Sequence, residues 1–180
     1  MTAQIGLFGS DVSGSGADLS ACGRYRFRLW RSWEPALGAV TFVMLNPSTA
    51  DAHRDDPTIR KCIGYARAWG RGGIEVVNLF AWRATDPREV VRALRRRDDV
   101  VGPGNDEAIL AAAQRARIVV AAWGALDEAS DRAEDVLRLL GGAGIAVHHL
   151  GLSKDGAPRH PLYLRADTRP ALLGDLGGAG

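Results

Sequence analysis

Short apolar runs and helix-period segments alternate along this chain, and that alternation restricts it to few architectures. Residues 39–45, 74–80, 117–123 and 145–150 read as buried strands, each a compact apolar run bounded by turn residues. Asp56-Pro57 reads as a helix N-cap followed by proline at the first helical position. Ile59, Cys62, Ile63, Ala66 and Trp69 then recur at helical spacing, and Gly70 ends that helix. Thr85-Asp86-Pro87 repeats the signal and opens a helix to about Arg97. Asn105 to Arg115 is an Ala-rich helix, and Asp131 to Leu140 is another. Such alternation implies an α/β fold, a three-layer sandwich whose mostly parallel central sheet of about four or five strands carries helices on both faces. Ahead of it, Tyr25, Phe27 and Leu29 alternate with Arg24, Arg26 and Arg28. That period predicts a half-buried strand over 24–31 with a charged outer face, antiparallel and at or near an edge.

The 180 residues are expected to form one α/β domain over 21–168, with a loose Gly/Ser/Asp-rich lead-in at 1–20 and a frayed tail at 169–180. The lead-in could hold one short strand at Ile5-Gly6-Leu7-Phe8. Gly9 to Gly16 lacks the Lys-Ser/Thr pair of a phosphate loop. No run is apolar enough for a membrane span, and the N-terminus has no basic head with a long apolar segment. A cytoplasmic protein without a membrane partner is expected. Cys22 and Cys62 have no ligand-spaced companions, so neither a disulfide framework nor structural zinc is expected, and no cofactor is implied. His53, near Asp51, Asp55 and Asp56, is explained by loop acids and helix capping without a metal. The net charge is only +2, and all but Lys61 and Lys154 of the 23 basic residues are Arg. Codon bias accounts for most of that excess. Arg92, Arg95, Arg96 and Arg97 read as a solvated helix end.

The strand ends carry the chemistry. Val40-Thr41-Phe42-Val43-Met44-Leu45 stops at Asn46-Pro47, and Pro47 cannot continue a ladder. Ser48, Thr49, Ala50 and Asp51 follow. The strand thus delivers an amide, two hydroxyls and a carboxylate to its C-terminal end, where open α/β sheets bind ligands. The same residues also suit a plain turn in which Asn and Ser bond their own backbone. Asn78 interrupts the apolar run Val76-Val77-Asn78-Leu79-Phe80. A buried amide must find partners: a neighbouring loop backbone, or a ligand ring bearing amide groups. Past the strand lie Trp82, placed to stack on a base, and Arg83. The third strand ends at Trp123-Gly124. The last holds His148 and His149, one facing each side of the sheet and so one expected in the core and the other at the surface, and leads to Arg159-His160-Pro161. His160 is the best-placed histidine for ligand or catalytic work, or else a loop histidine that holds backbone groups.

Leu45-Asn46-Pro47-Ser48-Thr49-Ala50-Asp51, Asp56-Pro57-Thr58-Ile59-Arg60, Val77-Asn78-Leu79-Phe80, Ala84-Thr85-Asp86-Pro87, Gly102-Pro103-Gly104-Asn105-Asp106 and Arg159-His160-Pro161-Leu162-Tyr163 together resemble the uncharacterised bacterial family DUF1643, which carries no established function. A more distant resemblance is to the uracil-DNA glycosylase superfamily. Its ordered motifs are matched by Met44-Leu45-Asn46-Pro47, Val76-Val77-Asn78-Leu79, Val119 to Gly124 and Arg159-His160-Pro161-Leu162. That resemblance implies cleavage of an N-glycosidic bond, with Asn46 positioning a water, Asn78 reading the base and His160 stabilising the departing base anion. Ser48, Thr49, Asp51, Trp82, Arg83 and Arg159 complete the implied substrate contacts. The chain departs from the pattern at Met44, where that superfamily has glycine. It departs again at Ser48-Thr49, and at Leu162-Tyr163 in place of a wedge-like Ser-Pro. A nucleobase, a nucleotide or DNA is therefore the expected ligand class, and a non-catalytic nucleotide or nucleic-acid binding module is the alternative.

Overall fold

The computed structural model describes residues 14–48 and 54–174. Its strands are β1 (Gly14–Leu19), β2 (Arg26–Ser32), β3 (Ala39–Met44), β4 (Gly73–Asn78), β5 (Ile118–Ala121), β6 (Val147–His149) and β7 (Ala171–Leu172). The helices are α1 (Pro57–Ala68), α2 (Pro87–Arg95), α3 (Asn105–Arg115) and α4 (Ser130–Gly142). All seven strands join one sheet in the order β1-β2-β4-β3-β5-β6-β7. The four central strands are parallel, and β1, β2 and β7 run antiparallel to their neighbours.

The chain steps from β3 to β4 in one direction and then crosses back past β3 to β5. Right-handed connections running in opposite directions lay their helices on opposite faces. Accordingly α1 packs Ile59, Cys62, Tyr65 and Ala66 on one face, against Phe42, Val76, Val120 and Leu150. The other face meets Val90, Ile109, Ala112, Val136 and Leu140 from α2, α3 and α4. The result is a three-layer α/β sandwich, with the reversal of strand order beside β3, the usual place for a crevice.

The helix starts follow their caps. The Asp56 carboxylate accepts from the Ile59 N–H at 2.8 Å and the Asp86 carboxylate from the Arg88 N–H at 2.9 Å, each with proline in the first turn. No described helix is long and apolar enough to cross a membrane.

Three expectations need correction. Among the described residues the sheet has seven strands rather than four or five, because segments flanking the expected domain contribute. Gly14–Leu19, read as lead-in, forms β1 against β2, and Ala171–Leu172, read as frayed tail, forms β7 against β6. The short strand expected at residues 5–8 falls outside the described residues. Secondly, the arginines of β2 do not face water: Arg26, Arg28 and Arg31 are 3%, 5% and 7% exposed. β1 covers them in part, in a way that depends on Gly16. A Cβ there would lie 2.2 Å from the Trp30 ring, so only glycine lets that indole cross β1. The Arg28 guanidinium in turn stacks on Trp30 at 4.2 Å. Thirdly, His148 and His149 do not divide into core and surface; both are half-buried. His148 Nδ1 lies 3.2 Å from the Val119 carbonyl, and His149 Nδ1 accepts from the Gly151 N–H at 2.9 Å.

Candidate functional site

A cavity of about 360 Å³ opens at the C-terminal ends of β3, β4 and β5. Asn46 reaches it from the end of β3, Asn78 from the end of β4 and Trp123 from just past β5. Asp56 comes from the start of α1, and His160 from the loop after β6. Four residues singled out in the sequence, Asn46, Ser48, Asn78 and His160, therefore line one space although they span more than a hundred positions.

Asn46 is held firmly. Its Nδ2 donates to the Ala84 carbonyl at 2.8 Å and the Pro47 carbonyl at 3.1 Å. The Ala84 N–H donates back to the Pro47 carbonyl at 2.9 Å, so this amide ties the β3 turn to the loop that precedes α2. Its Oδ1 makes no hydrogen bond among the described residues and remains an acceptor. The Asn46→Ala variant is accordingly expected to lose stability. Two net hydrogen bonds are worth about 1–3 kcal/mol, or roughly 2–12 °C of melting temperature in a chain of this length. Thermal denaturation followed by circular dichroism checks this.

Asn78 is 1% exposed, and its Nδ2 has no partner among the described residues. Its backbone is fixed by Asn105, the first residue of α3. The Asn105 Nδ2 donates to the Asn78 carbonyl at 3.0 Å and the Leu79 carbonyl at 3.1 Å. The backbone of Asn78 is thus fixed where the residue borders the cavity, while its side-chain donor is unmatched. Buried polar groups in folded proteins are nearly always bonded, so this donor is unusual, as are the buried Trp30 Nε1 and Asn105 Oδ1, which also lack a partner among the described residues.

Ser48 Oγ donates to Asp56 Oδ2, while Asp56 Oδ1 holds the Ile59 N–H. Asp56 is the one carboxylate among the described residues lining the cavity. His160 Nδ1 accepts from the Leu162 N–H at 3.3 Å. The neutral imidazole then carries its proton on Nε2, as a donor. Burial lowers the His160 pKa below its ordinary value, against an upward pull from the Asp56 carboxylate, so the neutral ring prevails near pH 7. The loop is anchored from α1: the Tyr65 hydroxyl donates to the Arg165 carbonyl at 2.7 Å and the Trp69 indole N–H to the Thr168 carbonyl at 3.1 Å. Gly124, at φ 80°, turns the chain after Trp123 and brings its backbone against His160.

Other expected contacts are not gathered here. Beyond Asn78 the chain zips onto its neighbours: the Ala81 and Trp82 N–H groups donate to the Val101 and Val100 carbonyls, and the Arg26 N–H to the Ala81 carbonyl. That path carries Trp82 onto the Tyr25 ring, edge-on at 6.0 Å, and not into the cavity. Arg83 instead ties down the β1–β2 turn, its Nη1 donating to the Gly23 carbonyl at 2.9 Å. Arg159 is exposed, with its N–H bonded to the Gly151 carbonyl. Thr49, Asp51 and His53 lie outside the described residues.

Sequence reasoning missed Arg26 and the second role of Asp56. Arg26 lines the cavity from β2, but the period-2 pattern placed it on an outer face. Asp56 was legible as a helix cap, and nothing in its spacing shows that the cap also borders a cavity. No group of three or more His, Cys, Asp or Glu among the described residues is placed to hold a metal ion.

Fold and site together define an α/β protein with a strand-end cavity of small-molecule size, lined by apolar side chains and a few polar ones. The chain belongs to the DUF1643 family, described as a protein of unknown function, which matches it over residues 26–162. No curated protein and no solved structure matches it.

Proposed function

We propose that this protein is a nucleobase-directed enzyme that hydrolyses an N-glycosidic bond in DNA or a nucleotide. The observation that carries the reading is the unmatched Nδ2 of Asn78, buried at the edge of a cavity that Asn46 and His160 also line. A volume of about 360 Å³ suits a ring-sized ligand. Asn78 offers a donor to a ring carbonyl. His160 offers Nε2–H to the negative charge that develops on the departing base, the kind of aimed donor that lowers such barriers. Asn46 Oδ1, unpartnered among the described residues, is left to hold a water. The motif order shared with the uracil-DNA glycosylase superfamily supports the same reading.

One observation favours the alternative, a non-catalytic nucleotide or nucleic-acid binding module. The Asn46 amide donors are both taken by backbone carbonyls, as in a purely structural turn. A single assay separates the two. Oligonucleotides carrying uracil, hypoxanthine or oxidised guanine, and the matching nucleosides, are incubated with the protein, and released base is measured by chromatography. Release from at least one substrate is expected, with His160→Ala slowing it by on the order of a hundredfold. Binding without release would select the module, and neither binding nor release would reject the site.

A further inference from the structure

Glycosidic hydrolysis by water needs a group that takes a proton, and a neutral carboxamide cannot do so. We infer that Asp56, working through the Ser48 hydroxyl, is the general base of this cavity, and that Asn46 orients the water without accepting its proton. The inference rests on the glycosidic reading above and adds to it the residue that performs the proton transfer.

Three observations carry it. Asp56 is the one carboxylate among the described cavity-lining residues. Its Oδ1 is pinned by the Ile59 N–H at the first turn of α1, which fixes the carboxylate plane and leaves Oδ2 to Ser48. Since the Ser48 hydroxyl proton is directed at Asp56, its oxygen lone pairs are available to accept from a water in the cavity that Asn46 also lines. In the step that follows, water oxygen bonds to the anomeric carbon while the glycosidic C–N bond breaks, its electron pair passing to the ring nitrogen. One water proton moves to Ser48 Oγ as the serine proton moves to Asp56 Oδ2. His160 Nε2–H and Asn78 Nδ2–H meet the base anion, which is then protonated from solvent as Asp56 returns its proton there. Water is added across one bond, and no oxidant or reductant takes part.

Among the described residues, the charged and titratable groups that share this environment are Arg26 from β2, His160 and Tyr163 from the loop after β6, and Cys62 on α1, whose thiol pKa is raised by burial and by the Asp56 charge. The test uses the full chain. Asp56→Asn keeps an oxygen acceptor for the Ile59 N–H and so preserves the cap. It should lower kcat on the substrate found in the release assay by on the order of a hundredfold or more, with KM within about threefold. Ser48→Ala should fall by at least about tenfold with the same KM pattern. Independently of turnover, the His160 ring protons in Asp56→Asn should titrate at lower pH than in the wild type, since the negative charge that favours the imidazolium is gone. If the wild type releases base and both variants match it, the proposal is overturned and the glycosidic reading stands. If no substrate yields base, both fall. An unchanged His160 titration in Asp56→Asn removes the carboxylate from the site.

Discussion

Glu75→Ala should be the most destabilising single substitution outside the hydrophobic core, lowering stability by roughly 3 kcal/mol. Glu75 sits on β4 at 2% exposure, paired with Arg115 at 2.9 Å and with Arg28 at 3.6 Å. Removing its carboxylate leaves two cations without their central anion. Arg115 is 26% exposed along its side chain and can turn toward water. Arg28, at 6%, cannot, although it keeps Asp18 at 2.9 Å. That asymmetry places the cost at the lower end of the range for a broken buried ion pair. The melting temperature should drop by on the order of ten degrees, given roughly 2–4 °C per kcal/mol in a chain of this length. Replacing Arg28, Glu75 and Arg115 together by apolar residues of similar volume should recover most of the loss, because the penalty belongs to the stranded charge and not to missing attraction. A single variant that melts within a degree or two of the wild type would mean that water reaches Arg28.

Asn78→Ala should have the opposite profile. Most buried amides stabilise their fold, but the Nδ2 of Asn78 has no partner among the described residues, so truncating it removes a desolvated donor at little structural cost. The variant should therefore melt no lower than the wild type, while its affinity for a released base or nucleoside falls by roughly 1–3 kcal/mol, about 5- to 150-fold. Calorimetric titration with the free base and a thermal melt, run on the same preparation, decide the point. A variant that melts several degrees lower and binds as before would make Asn78 an ordinary core amide.

The sequence made some parts of this molecule plain and hid others, for physical reasons. The central strands and their helices were legible because burial on both faces forces continuous apolar runs, and because Asp56-Pro57 and Asp86-Pro87 mark helix starts through chemistry confined to neighbouring residues. β1 was hidden: Gly-Ser-Gly-Ala-Asp-Leu has no strand period, and its pairing depends on Gly16 yielding space to Trp30, a contact between separate segments. The buried arginines of β2 were hidden likewise, since alternation assigns residues to sides of a strand but does not reveal what covers each side. At the cavity, the strand-end rule placed Asn46, Ser48, Asn78 and His160 together, because parallel strands share one C-terminal edge. The same rule failed for Trp82 and Arg83, because the chain after β4 runs on as a hydrogen-bonded extension and not as a loop over that edge.

The two outermost strands invite a different thought. β1 and β7 both lie outside residues 26–162, the stretch that matches the family, and that stretch begins at the first residue of β2. A sheet stopping at β2 and β6 would present two raw margins of unpaired backbone, each a template for another chain. Here the protein hems both with its own flanking segments, while the cavity is framed by the middle strands. Margin and centre still meet at one point: Arg26, which pairs with Leu19 of β1, also lines the cavity, so the hem on that side borders the site it surrounds.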